Sequence, residues 1–503
     1  MVVIKDVADY PEVGSGGMGV AVSNWTLART VSRLGQIGIT SGTALPVMLA
    51  RRLQDGDPGG HMRHALDNFP FPKVAERIFD KYFIDGGRKT GQPYKLTPMP
   101  CINNGKDFDE LCVASNFAEV FLAKEGHDGI VGINYLEKIQ FPHLASIYGA
   151  MLANVNAIFM GAGLATSVPD ALEALVDHQS ARYPIDVIGA LPGEVYSMTF
   201  DPSIFIREGG NVSSNLILPA FIPIIGSHVA GQYFFKATKS IVGETRRKIN
   251  GFYVERDPSG GHNSNPRKPV TFNGRGEPNY IDRDQVDFDK MRELAEKWDI
   301  PFWLAGGYGD REGFLAAKKE GAKGIFAGTA FALCMESGIN AKDRRELVVK
   351  ALNGEADVFN DPNASPAGFP FRVVSLDGTL SDPRVFGRRE KICDLGYLRR
   401  AYRKTDGMVG YRCPAEPVED YLRKGGSIKD TEDGKIDETR GKKCICNGLI
   451  GAAGAPQVLP DGSYEASIFT LGADYPKVVK FCRGGNPDYS AKRVIDVILG
   501  KES

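Results

Sequence analysis

The sequence predicts a (β/α)8 TIM barrel with helical insertions and a C-terminal extension. Three observations carry this prediction: the 503-residue chain has eight short apolar runs, each run ends in Gly, Ser or Asn, and helix-like sequence follows. Continuous apolar strands that alternate with amphipathic helices are typical of a parallel sheet covered by helices. Eight such units favour a closed barrel, and a doubly wound open sheet is the alternative.

The predicted strands lie, in chain order, in GSGGMGVAVS, QIGITSGTAL, GIVGINYLE, AIFMGAGLA, FIPIIGS, GFYVE, FWLAGGYG and GIFAGTAF. Two of the intervening helices are clear. One runs from Ser23 to Gly35 with a serine N-cap, and the other runs from Asp310 to Gly321 with an aspartate N-cap and a terminating glycine.

The barrel is predicted to occupy residues 1–345, with insertions near 50–110 and 175–215. Residues 346–503 are rich in charged residues, Gly, Pro and Cys, and we expect them to form a C-terminal extension packed on the barrel.

Composition argues against several classes of partner. Lys plus Arg (61) nearly equals Asp plus Glu (62), so no overall field attracts nucleic acid or an acidic membrane. No run of about 18 apolar residues predicts a membrane span. Asp6, Asp9 and Glu12 stand where a signal peptide would be apolar, and eight cysteines are too few for a disulfide scaffold. We therefore expect a cytoplasmic protein.

A phosphate site is predicted after the seventh and eighth strands. Gly306 and Gly307 directly follow the seventh strand, and Gly328 and Thr329 follow the eighth. Barrel enzymes often bind phosphate between these two loops, where backbone N–H groups contact the anion. Two ordinary tight turns are the alternative. The sequence has no P-loop motif, and SGGMGV matches the dinucleotide-binding fingerprint poorly. The two glycine turns therefore favour binding of a mononucleotide through its phosphate.

His262 is the predicted catalytic residue. It lies in DPSGGHNSNPR, after the sixth strand, at the end of a barrel where active sites are found. Gly260 and Gly261 would then allow close approach of a ligand. The alternative is a histidine that only caps a glycine turn.

The sequence resembles the nitronate monooxygenases, formerly called 2-nitropropane dioxygenases, which are FMN-dependent TIM barrels. The resemblance rests on GGMGVAVSNWTLARTVSRLGQIGITSG, GINY, SGGH, the AGG turn and the GT-F turn, in this order across roughly residues 10–340. The chain is also similar to the trans-acting FMN enoyl reductases of polyketide and polyunsaturated fatty acid synthases.

This resemblance implies FMN as cofactor and a role for each matching residue. Met18 and Gly19 would contact the isoalloxazine through their backbone, and Asn134 would hydrogen-bond the ring. His262 would face the substrate, and Gly306, Gly307, Gly328 and Thr329 would hold the phosphate, with Glu255, Gly260 and Gly261 also beside the cofactor.

The chain departs from the monooxygenase pattern at three places. Glu255 stands where the family often has glutamine, Pro258 and Ser259 precede the glycines, and the extension is absent from compact members.

The reaction predicted first is the oxidation of alkyl nitronates with O2 to a carbonyl compound and nitrite. The alternatives are an NAD(P)H-dependent enoyl reductase acting on enoyl thioesters, and an FMN-binding scaffold with little turnover. A homodimer is compatible with the near-zero net charge.

Three further segments allow two interpretations each. RRLQDGDPGGHMRHALDNFP forms either a basic rim of the active site, which would bind an anionic substrate, or a solvated helix. GFPFRVV either covers the active-site mouth or packs in a core. Four cysteines form a zinc site or remain buried thiols, the latter being the more common case; they are Cys393, Cys413, Cys444 and Cys446.

Overall fold

The computed structural model describes residues 6–239, 248–428 and 437–501. The ends of the predicted barrel and extension segments, 1–5 and 502–503, lie outside the described residues, as do 240–247 and 429–436.

The strands are β1 Val13–Ser15, β2 Gly38–Ser41, β3 Val131–Leu136, β4 Ala157–Gly161, β5 Ala181–Pro184, β6 Val187–Ile188, β7 Ser197–Phe200, β8 Ala220–Ile225, β9 Phe252–Glu255, β10 Gly261–His262, β11 Phe302–Ala305, β12 Gly324–Ala327, β13 Val358–Asp361, β14 Phe371–Val374, β15 Arg400–Arg403 and β16 Val409–Arg412.

The helices are α1 Trp25–Arg33, α2 Leu45–Gln54, α3 His61–Asp67, α4 Pro72–Tyr82, α5 Lys106–Lys124, α6 His143–Leu152, α7 Val168–Val176, α8 Ser203–Arg207, α9 His228–Thr238, α10 Phe288–Trp298, α11 Arg311–Lys319, α12 Thr329–Ala332, α13 Ala341–Leu352, α14 Pro383–Arg388, α15 Val418–Arg423, α16 Ile445–Ala452 and α17 Ala491–Leu499.

Eight parallel strands form the barrel, and the predicted fold class is confirmed. Their order is β1-β12-β11-β9-β8-β4-β3-β2, which is the order of the chain around a closed ring. A parallel bridge between Gly14 and Ile37 joins the first strand to the residue before the second and completes the ring. The strand-containing segments are the eight that the apolar runs predict.

Aromatic side chains fill the barrel interior. Tyr253 stacks on Phe326 with ring centroids 4.4 Å apart, and Phe159 and Trp303 pack against the same ring. The side chain of Tyr10 belongs to the same buried cluster. This layer is a packed core and forms the floor of any site at the carboxyl ends of the strands.

The first helix begins one residue later than predicted. Asn24, not Ser23, is the N-cap of α1, and its side chain accepts a hydrogen bond from the backbone N–H of Leu27. The buried Ser23 hydroxyl instead donates to the carbonyl of Gly16 and accepts from the N–H of Met18. Asp310 does cap α11, as the sequence predicts.

The two insertions differ in kind. The first is helical and contains α2, α3, α4 and the start of α5, whereas the second contains the antiparallel pair β5–β7 and the short helix α8. Residues beyond the barrel pack across its carboxyl end, where β14 pairs with β10, and α17 packs beside α11. Among the described residues, no helix is long and apolar enough to cross a membrane.

Candidate active site

A cavity of about 470 Å³ opens at the carboxyl ends of the barrel strands. Its volume lies in the range of small-molecule sites, roughly 300–1,000 Å³. The aromatic layer of the barrel interior forms its floor, the loops after the barrel strands form its walls, and the C-terminal extension covers it. All eleven residues predicted to act in catalysis or cofactor binding line this cavity: Met18, Gly19, Asn134, Glu255, Gly260, Gly261, His262, Gly306, Gly307, Gly328 and Thr329.

His262 is held in place by the extension. Its backbone pairs with Phe371 in the antiparallel bridge between β10 and β14. Its ring makes edge contacts with Phe371 at 4.7 Å and Phe369 at 6.3 Å between centroids. Because both rings also line the cavity, the GFPFRVV segment covers the mouth and packs in a core at the same time.

The electrostatics of His262 favour a neutral imidazole. Nε2 lies 2.6 Å from the hydroxyl oxygen of Ser365, which leaves Nδ1 for a ligand. Burial lowers the pKa of His262 to about 4, because the charged form loses hydration among aromatic neighbours. Near neutral pH the ring can therefore donate or accept a hydrogen bond but does not carry charge.

The turn before His262 is also fixed by the extension. Nη1 of Arg372 donates to the carbonyls of Asp257 at 2.5 Å and Ser259 at 3.0 Å, and the N–H of Ala473 donates to the carbonyl of Pro258 at 2.8 Å. A Cβ on Gly260 would lie 2.6 Å from the backbone of Leu471.

Gly260 lines the cavity, but the close approach that excludes a Cβ there is to the backbone of the extension. Gly261 has φ +69°, so its requirement for glycine is conformational.

Glu255 supplies a second titratable group in the cavity. It is the last residue of β9 and lines the cavity, with the Ser259 hydroxyl donating to its carboxylate. Burial raises the pKa of Glu255 to about 7, and the Ser259 hydrogen bond opposes this shift. A carboxyl with this pKa can give or take a proton near neutrality.

The loop after β1 approaches Asn134 closely. The side-chain Nδ2 of Asn134 donates to the carbonyl of Gly17 at 3.3 Å, and a Cβ on Gly17 would lie 2.4 Å from the same side chain. Ser23 fixes this loop through Gly16 and Met18. The Oδ1 atom of Asn134 is buried and has no hydrogen-bond partner among the residues described. A ligand N–H group would satisfy it.

The glycines after β11 and β12 form a cradle of backbone N–H groups, defined by Gly306, Gly307, Gly328 and Thr329. Gly306 and Gly307 both have positive φ, +85° and +88°. No atom lies within 4 Å of a Cβ built on Gly328, so that position faces open space. Within the described ranges, the N–H groups of Gly307, Gly328 and Thr329 have no protein acceptor. The cradle can therefore bind an anion.

The hydroxyl of Thr329 is already engaged. It donates to Oδ1 of Asp474 at 2.6 Å and accepts from the N–H of Gly472 at 2.9 Å. An anion in the cradle would meet the backbone N–H of Thr329 instead. Lys477 lies behind the cradle, with Nζ 3.3 Å from the carbonyl oxygen of Gly307 and 3.2 Å from the carboxylate of Asp310.

Among the residues described, the cavity wall contains acidic side chains and no basic one other than His262. Glu255 and Asp474 line it, and none of the described lining residues is Lys or Arg. The basic segment near the second strand is occupied elsewhere: Arg51 is buried and donates to the carbonyl of Ala455, and Arg52 pairs with Glu119. This basic segment therefore does not form a rim of the cavity.

Four of the five cysteines of the extension line a small neighbouring cavity: Cys393, Cys413, Cys444 and Cys446. All are free thiols, and burial raises the pKa of Cys393 to about 12. Among the residues described, no group of three or more His, Cys, Asp or Glu side chains is arranged to hold a metal ion.

Three functional candidates on the extension were not predicted from the sequence: Ser365, Arg372 and Asp474. Ser365 contacts His262, and Asp474 contacts Thr329. Arg372 contacts the carbonyl of Ser259, in the turn before His262. Only Arg372 has a sequence signal, because it lies in the GFPFRVV segment. Nothing local distinguishes Ser365 or Asp474, because their roles arise from long-range packing.

The sequence matches no protein-family model and no curated protein. The fold is similar to FabK from Thermotoga maritima, with 15% identity, TM-score 0.46, and 98% of this chain and 93% of that chain covered.

It is also similar to the enoyl reductase domain of MlnA from the macrolactin biosynthesis cluster of Bacillus amyloliquefaciens, with 11% identity, TM-score 0.46, and coverage of 99% and 96%. A third similar structure is nitroalkane oxidase from Streptomyces ansochromogenes, with 14% identity, TM-score 0.40, and coverage of 97% and 95%. At these identities the likeness concerns the fold, and the assignment of a (β/α)8 barrel rests on this chain's own strand order.

Proposed function

We propose that the protein is a flavin-dependent oxidoreductase that binds FMN in the cavity at the barrel mouth. Two features fit this cofactor. The unpartnered Oδ1 of Asn134 is an acceptor for a ring N–H, and the cradle at Gly307 and Gly328 offers N–H groups and open space for a phosphate. Met18 and Gly19 would contact the ring from the loop after β1.

The protein groups have separable tasks. FMN, when bound, supplies the electron chemistry. His262 would hold a substrate oxygen through a ring N–H, since its neutral form remains a hydrogen-bond donor. Glu255 would move the proton, because its pKa lies near neutrality. The apolar rings of Phe369 and Phe371 line the cavity and would limit the access of water to this side of it.

The charge of the cavity favours an uncharged substrate. Glu255 and Asp474 line it, and no Lys or Arg is present among the lining residues described. Burying an anion without a cationic partner is costly, whereas a neutral thioester loses little hydration. We therefore place the reduction of an enoyl thioester first, with NAD(P)H as the source of electrons. His262 would hold the thioester carbonyl, and Glu255 would protonate the α-carbon.

Oxidation of a nitroalkane or its nitronate with O2 is the second candidate. It is favoured by the same carboxyl in its other state: deprotonated Glu255 is a base that could remove the α-proton of a neutral nitroalkane inside the cavity. A preformed nitronate would meet the Glu255 carboxyl with no Lys or Arg among the described lining residues, so we expect it to bind less well than the neutral compound.

One assay separates these reactions and the scaffold alternative. Purified protein is tested with an enoyl thioester, a nitroalkane and a nitronate, each with and without NADPH. Thioester-dependent NADPH oxidation supports the reductase, and nitrite release without NADPH supports the monooxygenase. A flavin-containing protein that does neither, and whose His262→Ala variant behaves identically, would be a scaffold. A protein that does not bind flavin contradicts the whole proposal.

We also propose that residues 346–503 form one functional unit with the barrel of residues 1–345. The extension supplies hydrogen bonds to the turn before His262 through Arg372 and Ala473, and to Thr329 through Asp474 and Gly472. A chain that ends at residue 345 would lose these contacts together, and we expect it to lose flavin binding.

A further inference from the structure

Asp474 places a carboxylate beside the anion cradle. Its Oδ1 accepts the hydroxyl hydrogen of Thr329 at 2.6 Å, and its Oδ2 lies 3.4 Å from the position that a Cβ on Gly309 would occupy. Asp474 also lines the cavity together with Gly307 and Gly328. A phosphate held by the cradle would therefore lie close to this carboxyl group.

Two anions so close together are not both stable without a proton between them. A phosphate monoester carries almost two negative charges at pH 7, and its second pKa is about 6. Like charges in a poorly hydrated site raise each other's pKa values, and the pair then titrates as a unit. Burial already raises the pKa of Asp474 above its usual value, before any ligand is considered.

The surroundings of Asp474 do not remove this conflict. Lys477 is the nearby cation on the same segment, but its ammonium group is 3.2 Å from Asp310, which is itself an anion. Lys480 pairs with Asp310 as well, at 2.8 Å. Arg372 and Tyr489 also interact electrostatically with Asp474, but the hydrogen bonds that Nη1 of Arg372 donates go to the carbonyls of the turn before His262 and not to this carboxyl group.

We infer that the carboxyl of Asp474 and the terminal phosphate of the bound cofactor share one proton, so that FMN binds together with a proton taken from solvent. This inference rests on the proposed function. Asp474 would then donate to a phosphate oxygen while its other oxygen keeps the hydrogen bond from Thr329. Riboflavin, which has no phosphate, would bind without this proton.

The experiment compares the two flavins across pH. Apoprotein is titrated with FMN and with riboflavin between pH 6 and 9, and the ratio of the two Kd values is followed by flavin fluorescence. Effects on the ring site, including titration of Glu255, cancel in this ratio. Above pH 7 the Kd for FMN should rise about tenfold per pH unit relative to riboflavin, because one proton is taken up per FMN bound.

Asp474→Asn should remove this slope, and Glu255→Gln, which changes the other carboxyl of the cavity, should keep it. If Asp474→Asn does not fold, calorimetry of the wild-type protein in two buffers of different ionisation enthalpy measures the same proton uptake directly. A pH-independent ratio, no proton uptake, or tighter binding of riboflavin than of FMN at every pH overturns the inference. Failure to bind either flavin instead contradicts the proposed function.

Discussion

Nε2 of His262 and the hydroxyl oxygen of Ser365 lie 2.6 Å apart although the residues are separated by 103 positions in the chain. Ser365 is fully buried, and its oxygen also accepts a hydrogen bond from the N–H of Ala367. Among the contacts of the described residues, Nε2 is the only acceptor for the serine hydrogen. The hydroxyl therefore donates to Nε2, and Nδ1 of the neutral ring carries the proton.

Ser365→Ala should lower kcat with little change in KM. Without the serine the tautomer of His262 is no longer fixed, and losing one hydrogen bond of about 0.5–1.5 kcal/mol corresponds to a roughly two- to tenfold lower rate. Ser365→Thr keeps the hydroxyl and should restore most of the activity. Nitrogen NMR of the His262 ring would report the tautomer directly, and unchanged ring shifts in Ser365→Ala would contradict this positioning role.

The raised pKa of Glu255 predicts opposite pH profiles for the two candidate reactions. If Glu255 donates the proton, the rate is constant below about pH 7 and falls about tenfold per pH unit above it. If it acts as a base, the rate rises through the same range. Glu255→Gln should abolish either dependence, and a wild-type profile that is flat between pH 6 and 8 would remove Glu255 from the proton transfer.

The same carboxyl affects stability with a definite sign. Its pKa of about 7 in the folded chain exceeds the unfolded value of about 4.3, so the folded state binds more protons in between. This stabilising contribution is complete below about pH 4 and is lost as pH rises to 7. Glu255→Gln should therefore raise Tm relative to the wild type at pH 8, and should not raise it at pH 4.

The barrel was predictable because its signals are local. Each strand is an apolar run that ends in a small or polar residue, and the chain order of the runs is the order of the strands around the ring. Since active sites of this fold lie at the carboxyl ends of the strands, Thr329 could be assigned to the cavity from its position, whereas Asn134 and Glu255 were assigned through the family resemblance; all three line the cavity.

The cover of the cavity was not predictable in the same way. Ser365, Arg372 and Asp474 act through partners more than a hundred positions away, and no periodicity links them to those partners. Gly260 shows the consequence: it lines the cavity, but the contact that requires glycine there is with the backbone of Leu471, which its sequence context does not indicate.

Arg372 provides a test of whether the extension stabilises the active-site turn. Arg372→Met removes the hydrogen bonds to the carbonyls of Asp257 and Ser259, and we expect a loss of about 2–4 kcal/mol in the free energy of unfolding. The matched control is Arg275→Met, which breaks an exposed bidentate pair with Asp357 and should cost less than about 1 kcal/mol. Urea unfolding measures both, and equal losses would contradict a special role for Arg372.

Gly328→Ala tests the cradle without disturbing the fold. Gly328 has φ −90°, which alanine adopts readily, and no atom lies within 4 Å of the added Cβ, so the free energy of unfolding should change by less than about 0.5 kcal/mol. The methyl group would instead project into the space offered to the phosphate. We expect the Kd for FMN to rise by about tenfold or more while riboflavin binding changes little, because only the phosphorylated end reaches the cradle.

Gly105→Ala is the control: it also has a negative φ, −74°, and open space at Cβ, but it lies at the N-cap of α5, outside the cavity lining. An equal effect of Gly328→Ala on both flavins would show that the cradle does not bind the phosphate.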